Sequence, residues 1–470
     1  MSDTLESKVP DASSGRIEPA SPRLDDPPLA TALARSIVRS RSTPFSEAAR
    51  DKARACLIDF LGCAFEASGL PWSRQAAALA ESEGPCSIVG SPRGAALGDA
   101  AFANAVAGHG LVREDMHAGA VAHLGVVVLP AVLALAERRG ARLPAAIDAA
   151  IVGYEVGAKL GLAIVTPEFS RSFRPTGFVG PAAAAAAGAF LLGLDETATQ
   201  SALSLAANMA SGLNQWPHTG ADDMFFHPGI ATRNGLTAVR LAALGARGSE
   251  KALDGEAGLL TAMRPDRTAP RVALFAGEPE ILSVFFKPVP VCNFAQTPAL
   301  AAIGLVRDHR LDPAMIESVA VRVSRAAKTY PGCDHPGPFG RILQAKMSIH
   351  YAVASALLDG RIDEGSYADL DEPARLALCG KIMVEADEAL TAAFPKRQGA
   401  SVEVHLAGGG VLSHSLPNVL AADEHQVRSR FRAAAAASVG AETAERLESA
   451  VYRSAHEVSV ASVMALTRRR

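Results

Sequence analysis

The chain has 470 residues, of which 49% are hydrophobic and 20% are charged, a composition typical of a folded protein with a sizeable core. Its 46 lysine and arginine residues nearly balance 49 aspartate and glutamate residues, which gives a formal net charge of -3. This balance excludes the broad positive surface with which proteins bind nucleic acid or an anionic membrane. At this length we expect two domains.

Residues 1–28 are rich in Ser, Asp, Glu and Pro and contain no apolar stretch resembling a signal sequence, so we expect a disordered lead-in. The six cysteines are scattered without a CxxC pair: Cys56, Cys63, Cys86, Cys292, Cys333 and Cys379. Such spacing favours free thiols in a reducing compartment over disulfides or zinc, and therefore a cytoplasmic location.

From residue 29 to about 282 the pattern is helical, with Leu, Ile and Val at three- and four-residue spacing in Ala-rich segments. Ser46 or Thr43 is expected to cap the first long helix, and Gly140 and Gly193 are expected to end two others. The longest apolar runs are shorter than the ~20 residues that span a bilayer, so they are predicted to be buried helices. The predicted helices are Ala48–Ala67, Asp99–Gly108, Leu124–Arg138, Pro144–Ile164, Gly180–Leu192, Glu196–Leu213 and Gly229–Leu244.

The pattern changes after residue 282. Ile316–Ser324 alternates apolar with polar residues, as a half-buried strand does, and Ser401–Leu406 and Val411–Leu416 flank a glycine turn that predicts a hairpin. Helical segments lie between these strands, so we predict a smaller α+β domain over residues 283–420, beside a large all-helical domain over 29–282. The segments within 421–470 are helical again and are expected to return to the helical domain. The predicted fold class is therefore mainly α.

Titratable residues are concentrated at the junction of two predicted helices: His109, Arg113, Glu114, Asp115, His117 and His123. Crowding of such groups against apolar helices moves their pKa values toward those of a general acid or base at neutral pH. The alternative is a polar loop whose histidines cap helix ends or face solvent. Asp115, His117 and His123 match neither an i, i+4 histidine pair nor a cysteine-containing zinc pattern, so we predict no metal.

Three further segments hold candidate binding residues. Arg174 precedes a Pro-Thr-Gly turn and an Ala-rich helix, where it either offers its guanidinium to a carboxylate or is an ordinary surface arginine. His227 ends the segment 218–227, which either lines a pocket or caps a helix. Lys287 lies in an apolar, proline-rich turn at the predicted domain boundary, where it either neutralises a substrate carboxylate or reaches the surface. Phosphate-loop and nucleophile-elbow motifs are absent from the sequence, so nucleotide and acyl-enzyme chemistry are not expected.

Short motifs are spread from about Ala48 to Leu466, and together they resemble the MmgE/PrpD family, which includes 2-methylcitrate dehydratase, cis-aconitate decarboxylase and iminodisuccinate epimerase. The resemblance implies a large helical domain completed by C-terminal helices, with a smaller α+β lid. It also implies a homodimer that acts on small di- or tricarboxylates in the cleft between the domains, without an organic cofactor. The motifs are Leu57–Gly62, Ala103–Asn104 leading to His109, His123 with Leu129–Ala131, Gly153–Val156, Pro175–Gly177, His227–Gly229, Gly255–Leu259, Lys287–Cys292 and Ala345–Ser348.

Several positions depart from the family's pattern. Where the family commonly has His-x-x-Asp-Phe-Asp-Asp-Thr, Val112 replaces the first acid and Met116 replaces the hydroxyl residue. Arg174 and Gln296 replace histidines, and Met224 replaces a lysine. Donors for a tricarboxylate are lost and arginines are gained, so we expect a substrate other than methylcitrate or cis-aconitate. The family residues that are retained are His109, Glu114, Asp115, His123, His227 and Lys287.

These residues predict a lyase that removes a proton alpha to a carboxyl group, with loss of water or CO2. His123 is the predicted base or acid, Asp115 its partner and His117 a second acid/base, while carboxylates and the enolate-like intermediate are held by Arg113, Arg174 and Lys287. The predicted substrate-binding set is completed by His109, Glu114 and His227. Two alternatives stay open: an isomerase or epimerase on the same scaffold, and a helical carboxylate-binding protein without turnover.

Overall fold

The computed structural model describes residues 27–264, 266–452 and 458–469. Most of the predicted lead-in, and part of the helical segments predicted within 421–470, lie outside the described residues. Within them the protein is mainly α-helical, which confirms the predicted fold class. The α-helices of the described ranges are α1 (Leu29–Ser40), α2 (Glu47–Ala67), α3 (Pro71–Ala78), α4 (Leu97–His109), α5 (Gly125–Arg139), α6 (Leu143–Ile164), α7 (Pro167–Ser172), α8 (Pro175–Leu192), α9 (Glu196–Ala207), α10 (Trp216–Thr219), α11 (Asp223–Ala243), α12 (Leu259–Met263), α13 (Gln296–His309), α14 (Arg325–Thr329), α15 (Ile342–Met347), α16 (Ile349–Asp359), α17 (Pro373–Cys379), α18 (Glu388–Ala393), α19 (Glu424–Val439), α20 (Ala441–Tyr452) and α21 (Val460–Ala465).

Local sequence signals determine several helix ends. Ser46 rather than Thr43 caps α2, because its hydroxyl accepts a hydrogen bond from the N–H of Ala49. Gly140 and Gly193 end α5 and α8 in the left-handed conformation, as predicted (φ 67° for both). Ser348 separates α15 from α16, since its hydroxyl caps α16 by accepting a hydrogen bond from the N–H of Tyr351.

The described residues form two compact units. The larger contains residues 27–213, 223–286 and 424–469 within the described ranges, and the smaller contains residues 214–222 and 287–423. The C-terminal helices therefore belong with the larger unit, where α19 packs against α2. Residues 214–222, which the sequence places among the helices of the larger domain, belong to the smaller unit because α10 packs against α15 and Asn214 donates to the hydroxyl of Tyr330.

The smaller unit contains a four-stranded sheet: β3 (Ile316–Val323), β4 (Ile382–Ala386), β5 (Ala400–Leu406) and β6 (Val411–Leu416), in the order β4-β3-β5-β6. β5 and β6 form the predicted hairpin, and β3 is the predicted alternating strand. β4 pairs with β3 in parallel and was not predicted from the sequence. The two-residue strands β1 (Cys86–Ser87) and β2 (Gly94–Ala95) pair in the larger unit.

Small side chains allow the core helices of the larger unit to approach closely. A Cβ atom on Gly157 of α6 would lie 2.9 Å from Cβ of Ala183 on α8, and a Cβ on Gly235 of α11 would lie 2.5 Å from Cβ of Ala184. Among the described helices, α8 alone is long and apolar enough to cross a bilayer, but 83% of it is buried inside the protein. Helix α8 therefore serves as the core element predicted from its alanines.

Candidate active site

The loop from Gly110 to Leu124 joins α4 to α5 in the larger unit and carries most of the predicted site residues. Two valines in it have positive φ angles, 60° at Val112 and 48° at Val121. A β-branched residue rarely adopts this left-handed conformation, so surrounding contacts must impose it. Such backbone strain is typical of segments whose shape serves a function.

The centre of the site is the carboxylate of Glu114. Its Oε1 atom lies 2.5 Å from Nδ1 of His109 and 2.6 Å from Nδ1 of His123. All three side chains are buried, and the two imidazole rings meet edge to face with centroids 4.9 Å apart. Burial acts to raise the pKa of Glu114, but the two histidines outweigh it and hold that pKa well below its usual range. Glu114 is therefore an ionised carboxylate between two imidazoles.

Arg174 determines the tautomer of His109. Its Nη2 atom donates to Nε2 of His109 across 3.1 Å, and since an arginine nitrogen can only donate, Nε2 must be the unprotonated nitrogen. The proton of neutral His109 is then on Nδ1, from which it bonds Glu114. Arg174 is held at the N-terminus of α8 by its backbone N–H, which donates to the carbonyl of Gly212 (3.0 Å).

His123 is fixed at both its backbone and its ring. Its N–H donates to Oγ1 of Thr176 (3.1 Å), and its Nδ1 lies against Glu114. A carboxylate beside Nδ1 holds the proton on that nitrogen, which leaves Nε2 as the basic nitrogen of the ring. Thr176 was not predicted individually, although it lies in the Pro175–Gly177 motif.

His109, Glu114 and His123 also place three potential metal-ligand atoms within 4.8 Å of one another. Two histidines and a carboxylate are a common zinc ligand set. A metal on Nδ1 of His109 would, however, force the ring proton onto Nε2, where it would meet the N–H of Arg174. The donors therefore fit a hydrogen-bonded group better than a metal centre, and the set Asp115, His117 and His123 considered from the sequence does not form the cluster.

Asp115 points away from this group of histidines. A Cβ atom on Gly125, the first residue of α5, would lie 2.1 Å from Oδ1 of Asp115 and 2.5 Å from the hydroxyl of Tyr154, so the acid is packed under the start of that helix. Burial and the negative charge of Asp59 raise the pKa of Asp115 to about 8. The carboxylate that contacts His123 is Glu114, which corrects the predicted pairing of His123 with Asp115.

His117 uses both ring nitrogens in contacts within the protein. Nδ1 accepts from the N–H of Ala120 (3.0 Å), so the ring proton is on Nε2, which donates to Oε2 of Glu280 (2.9 Å). The predicted second acid/base is therefore engaged with Glu280 rather than with the Glu114 group. Glu280 belongs to none of the motifs and lies 163 residues away along the chain, so this pair could not be predicted from the sequence.

Arg113 is likewise committed to another side chain. Its two terminal nitrogens contact the two carboxylate oxygens of Glu66, at 3.1 and 2.5 Å. This bidentate pair, together with Asp59, raises the pKa of Arg113 against the effect of burial. Its positive charge is neutralised locally, which argues against the predicted role of Arg113 as a substrate ligand.

His227, on α11, extends the site beside Arg174. A Cβ on Gly212 would lie 3.3 Å from Cβ of Arg174 and 3.5 Å from Nδ1 of His227. Burial, with the neighbouring Arg174 and His109, lowers the pKa of His227 to about 3, so its ring is neutral at physiological pH. Its buried Nδ1 has no hydrogen-bond partner in the described parts of the chain, and a ligand oxygen would satisfy it.

Comparison with known sequences assigns the chain. The sequence models of the MmgE/PrpD N-terminal domain and C-terminal domain match residues 31–271 and 289–454. The chain belongs to the MmgE/PrpD family. This confirms the resemblance seen in the motifs.

Three curated relatives carry cis-aconitate decarboxylase names. The chain is 35% identical over 219 residues to the cis-aconitate decarboxylase-like protein oryM of Aspergillus oryzae, which covers 43% of the chain and 44% of that protein. It is 28% identical over 351 residues to the cis-aconitate decarboxylase of Aspergillus terreus, covering 68% and 70%. Identity to the human cis-aconitate decarboxylase is 29% over 306 residues, covering 61% of each protein. The matches thus span from under half to about two thirds of these relatives.

Met224 and Gln296, two positions that depart from the MmgE/PrpD pattern, are both buried. Met224 is fully buried in the larger unit. Gln296, in the smaller unit, donates from Nε2 to the carbonyls of Val289 and Val291, both at 2.9 Å. Gln296 therefore holds the backbone of the motif Lys287–Cys292. Lys287 itself is fully buried in the smaller unit, and its predicted contact with a carboxylate stays a prediction.

Proposed function

We propose that this MmgE/PrpD chain is a lyase that removes a proton alpha to a carboxyl group of a small di- or tricarboxylate, with loss of water or CO2. The observation that carries the proposal is the single oxygen of Glu114 between the Nδ1 atoms of His109 and His123. This arrangement orients one imidazole as a base in a buried, charge-balanced group. No step requires an organic cofactor or a metal.

His123 is the proposed base, and the carbon-bound proton passes to its Nε2. Glu114 holds the Nδ1–H of the ring, so the required tautomer is present before reaction. When Nε2 takes up the proton, the imidazolium is stabilised by the adjacent anion, as in other carboxylate–histidine pairs. The electron pair left on carbon is delocalised into the neighbouring carboxyl group. For loss of water, this pair forms a C=C bond as the C–O bond on the adjacent carbon breaks, and the hydroxyl takes up a proton and leaves as water. Loss of CO2 follows return of the proton to the substrate: the C–CO2 bond breaks, its electron pair is delocalised in the same way, and carbon takes up a proton from solvent through His123.

Arg174 is the proposed partner of that carboxyl group. A guanidinium binds a carboxylate through parallel hydrogen bonds, and these strengthen as negative charge accumulates in the enolate-like state. His109 receives one N–H of Arg174 and thereby orients the guanidinium. Neutral His227, with its Nδ1 buried, is suited to a hydroxyl or carboxyl oxygen of the same substrate.

The relatives named cis-aconitate decarboxylases support carboxylate chemistry of this type. Since Met224 carries no charge and Gln296 is engaged with backbone carbonyls, the substrate that we propose has fewer or differently placed anionic groups than cis-aconitate. The homodimeric state, the cytoplasmic location and the role of Lys287 are part of the proposal and rest on the sequence.

Incubation of the full-length protein with a panel of di- and tricarboxylates in D2O, followed by proton NMR, tests this function. Formation of a dehydrated or decarboxylated product supports the lyase. Deuterium exchange into recovered substrate without elimination would instead identify an isomerase or epimerase. A thermal shift without either reaction would indicate a carboxylate-binding protein, because a ligand of the native state raises apparent stability by mass action.

A further inference from the structure

A tight turn immediately precedes His123. The backbone of His117 pairs with that of Ala122 through two hydrogen bonds, of 3.0 and 3.3 Å. The side chain of His117 closes the same turn from within, because its Nδ1 accepts the N–H of Ala120. His117 therefore fixes the turn through its backbone, which pairs with Ala122, and through its ring, which bonds Ala120. The residue that follows Ala122 is His123, the proposed base.

The ring of His117 is in turn anchored to a buried ion pair. Its Nε2 donates to Oε2 of Glu280, whose other oxygen lies 2.6 Å from Nζ of Lys159 on α6. Burial acts to raise the pKa of Glu280, but His117 and Lys159 lower it to about 2, so the acceptor is ionised. Glu280 is itself fixed, since its N–H donates to Oε2 of Glu155 (2.8 Å).

Helix α6 packs closely against the turn. A Cβ on Gly161 would lie 2.5 Å from Cβ of Ala120, so only glycine allows the turn to lie this close to the helix. The same helix carries Glu155 and Lys159. One rigid element thus supplies the surface under the turn and the groups that orient its anchor.

We infer that His117, Glu280 and Lys159 form a positioning clamp, which sets the ring of His123 against Glu114. The clamp residues act through the turn and need not touch substrate, so they are positioning residues. Its effect on turnover rests on the proposed function, whereas its effect on the His123 ring does not. A displacement of about 1 Å at a reacting group is enough to reduce a rate by roughly 100-fold.

Nitrogen-15 NMR of protein labelled in its histidine rings tests the clamp without any substrate. In the wild type we expect His123, assigned with His123→Gln, to show a protonated Nδ1 with a strongly hydrogen-bonded proton. His117→Ala and Glu280→Ala should broaden or shift this signal, and His117→Gln, which retains a donor toward Glu280, should preserve more of it. Glu280→Gln keeps the size of the side chain but removes its charge, so it replaces the alanine variants in this test if they do not fold.

His350→Ala is the matched control, because His350 is another buried histidine paired with a carboxylate, 2.8 Å from Asp334 in the smaller unit. We expect it to leave the His123 signal unchanged. With a substrate found, the clamp variants should lose roughly 10- to 100-fold in kcat with little change in KM. An unaltered His123 signal in folded His117→Ala and Glu280→Gln would overturn the inference. Absence of turnover in the wild type would refute the proposed function. The nitrogen-15 signal of the His123 ring in the variants would still show whether the clamp positions that ring.

Discussion

Nδ1 of His123 lies 2.6 Å from Oε1 of Glu114, the same oxygen that lies 2.5 Å from Nδ1 of His109. One carboxylate oxygen thus orients two imidazoles, and Arg174 fixes the second of them from its far side. The two histidines therefore have different roles. Nε2 of His123 stays available as a base for a substrate, while His109 orients the guanidinium of Arg174.

Replacement of Glu114 by Gln should reduce kcat by roughly 100- to 10,000-fold, because the ring of His123 loses both its tautomer and the anion that stabilises its charged form. Steady-state kinetics with the substrate found in the carboxylate panel measures the effect. The matched control is Glu137→Gln, which removes a partly buried carboxylate that accepts hydrogen bonds from Ser87 in the larger unit. Equal losses in both variants would indicate damage to the fold instead of a specific role for Glu114.

Replacement of Arg174 by Met should raise KM about 10- to 100-fold, since a hydrogen bond between charged groups contributes on the order of 1.5–3 kcal/mol. The KM of Arg174→Lys should lie between those of Arg174→Met and the wild type, because a lysine retains the positive charge but lacks the planar guanidinium that bonds a carboxylate in two places. Arg41→Met is the control, as the terminal nitrogens of Arg41 donate to the carbonyls of Leu194 and Ala189. An unchanged KM in Arg174→Met would remove Arg174 from the binding site.

Asp115 should make stability depend on pH. Its folded pKa of about 8 lies above the ordinary value of about 4 for an unfolded aspartate, so the folded state binds the proton more tightly. Stability from this group is complete below pH ~4 and is lost as pH rises toward 8, with a slope of at most about 1.4 kcal/mol per pH unit. Asp115→Asn should therefore be stabilised relative to the wild type at pH 8, with little difference at pH 3 to 4.

Denaturant unfolding of the wild type and Asp115→Asn at several pH values measures this difference. Asp148→Asn serves as a control, because Asp148 is partly exposed and pairs with Arg50. Parallel pH dependence in the wild type and Asp115→Asn would show that Asp115 ionises normally. Activity of the same variant also tests whether Asp115 shares in proton transfer, as the sequence predicts.

Lys287 and Lys346 offer a matched pair within the smaller unit, since both side chains are fully buried. Nζ of Lys346 lies 2.6 Å from Glu364 and 4.4 Å from the ring centroid of Tyr367, so its role is structural. We expect Lys287→Met to lower kcat/KM at least about 10-fold, the loss of one charge-assisted contact. Lys346→Met should chiefly lower the melting temperature. The sequence prediction for Lys287 fails if its variant keeps full activity.

Features set by neighbouring residues could be predicted from the sequence. Ser46, Gly140 and Gly193 mark helix ends because capping and left-handed termini depend on local chemistry. The hairpin of β5 and β6 follows from alternation around a glycine turn. The concentration of titratable groups between 109 and 123 likewise marks the segment in which Glu114 contacts His109 and His123.

The direction of each side chain in that loop could not be predicted. A loop has no fixed periodicity, so nothing local distinguishes Glu114, which joins the histidines, from Asp115, which is packed under α5. Partners far apart in sequence were also hidden: Glu66 lies 47 residues from Arg113, and Glu280 lies 163 residues from His117. Two of the predicted site residues are therefore engaged by partners that only the fold brings near.

The central claim is that His123, held by Glu114, takes a proton from the carbon next to a substrate carboxyl group. Its most direct test is the rate of deuterium incorporation at that carbon in D2O, compared between the wild type and His123→Gln at equal folded concentration. We expect exchange or elimination by the wild type and a loss of at least about 100-fold in His123→Gln. Wild-type rates in His123→Gln would contradict it.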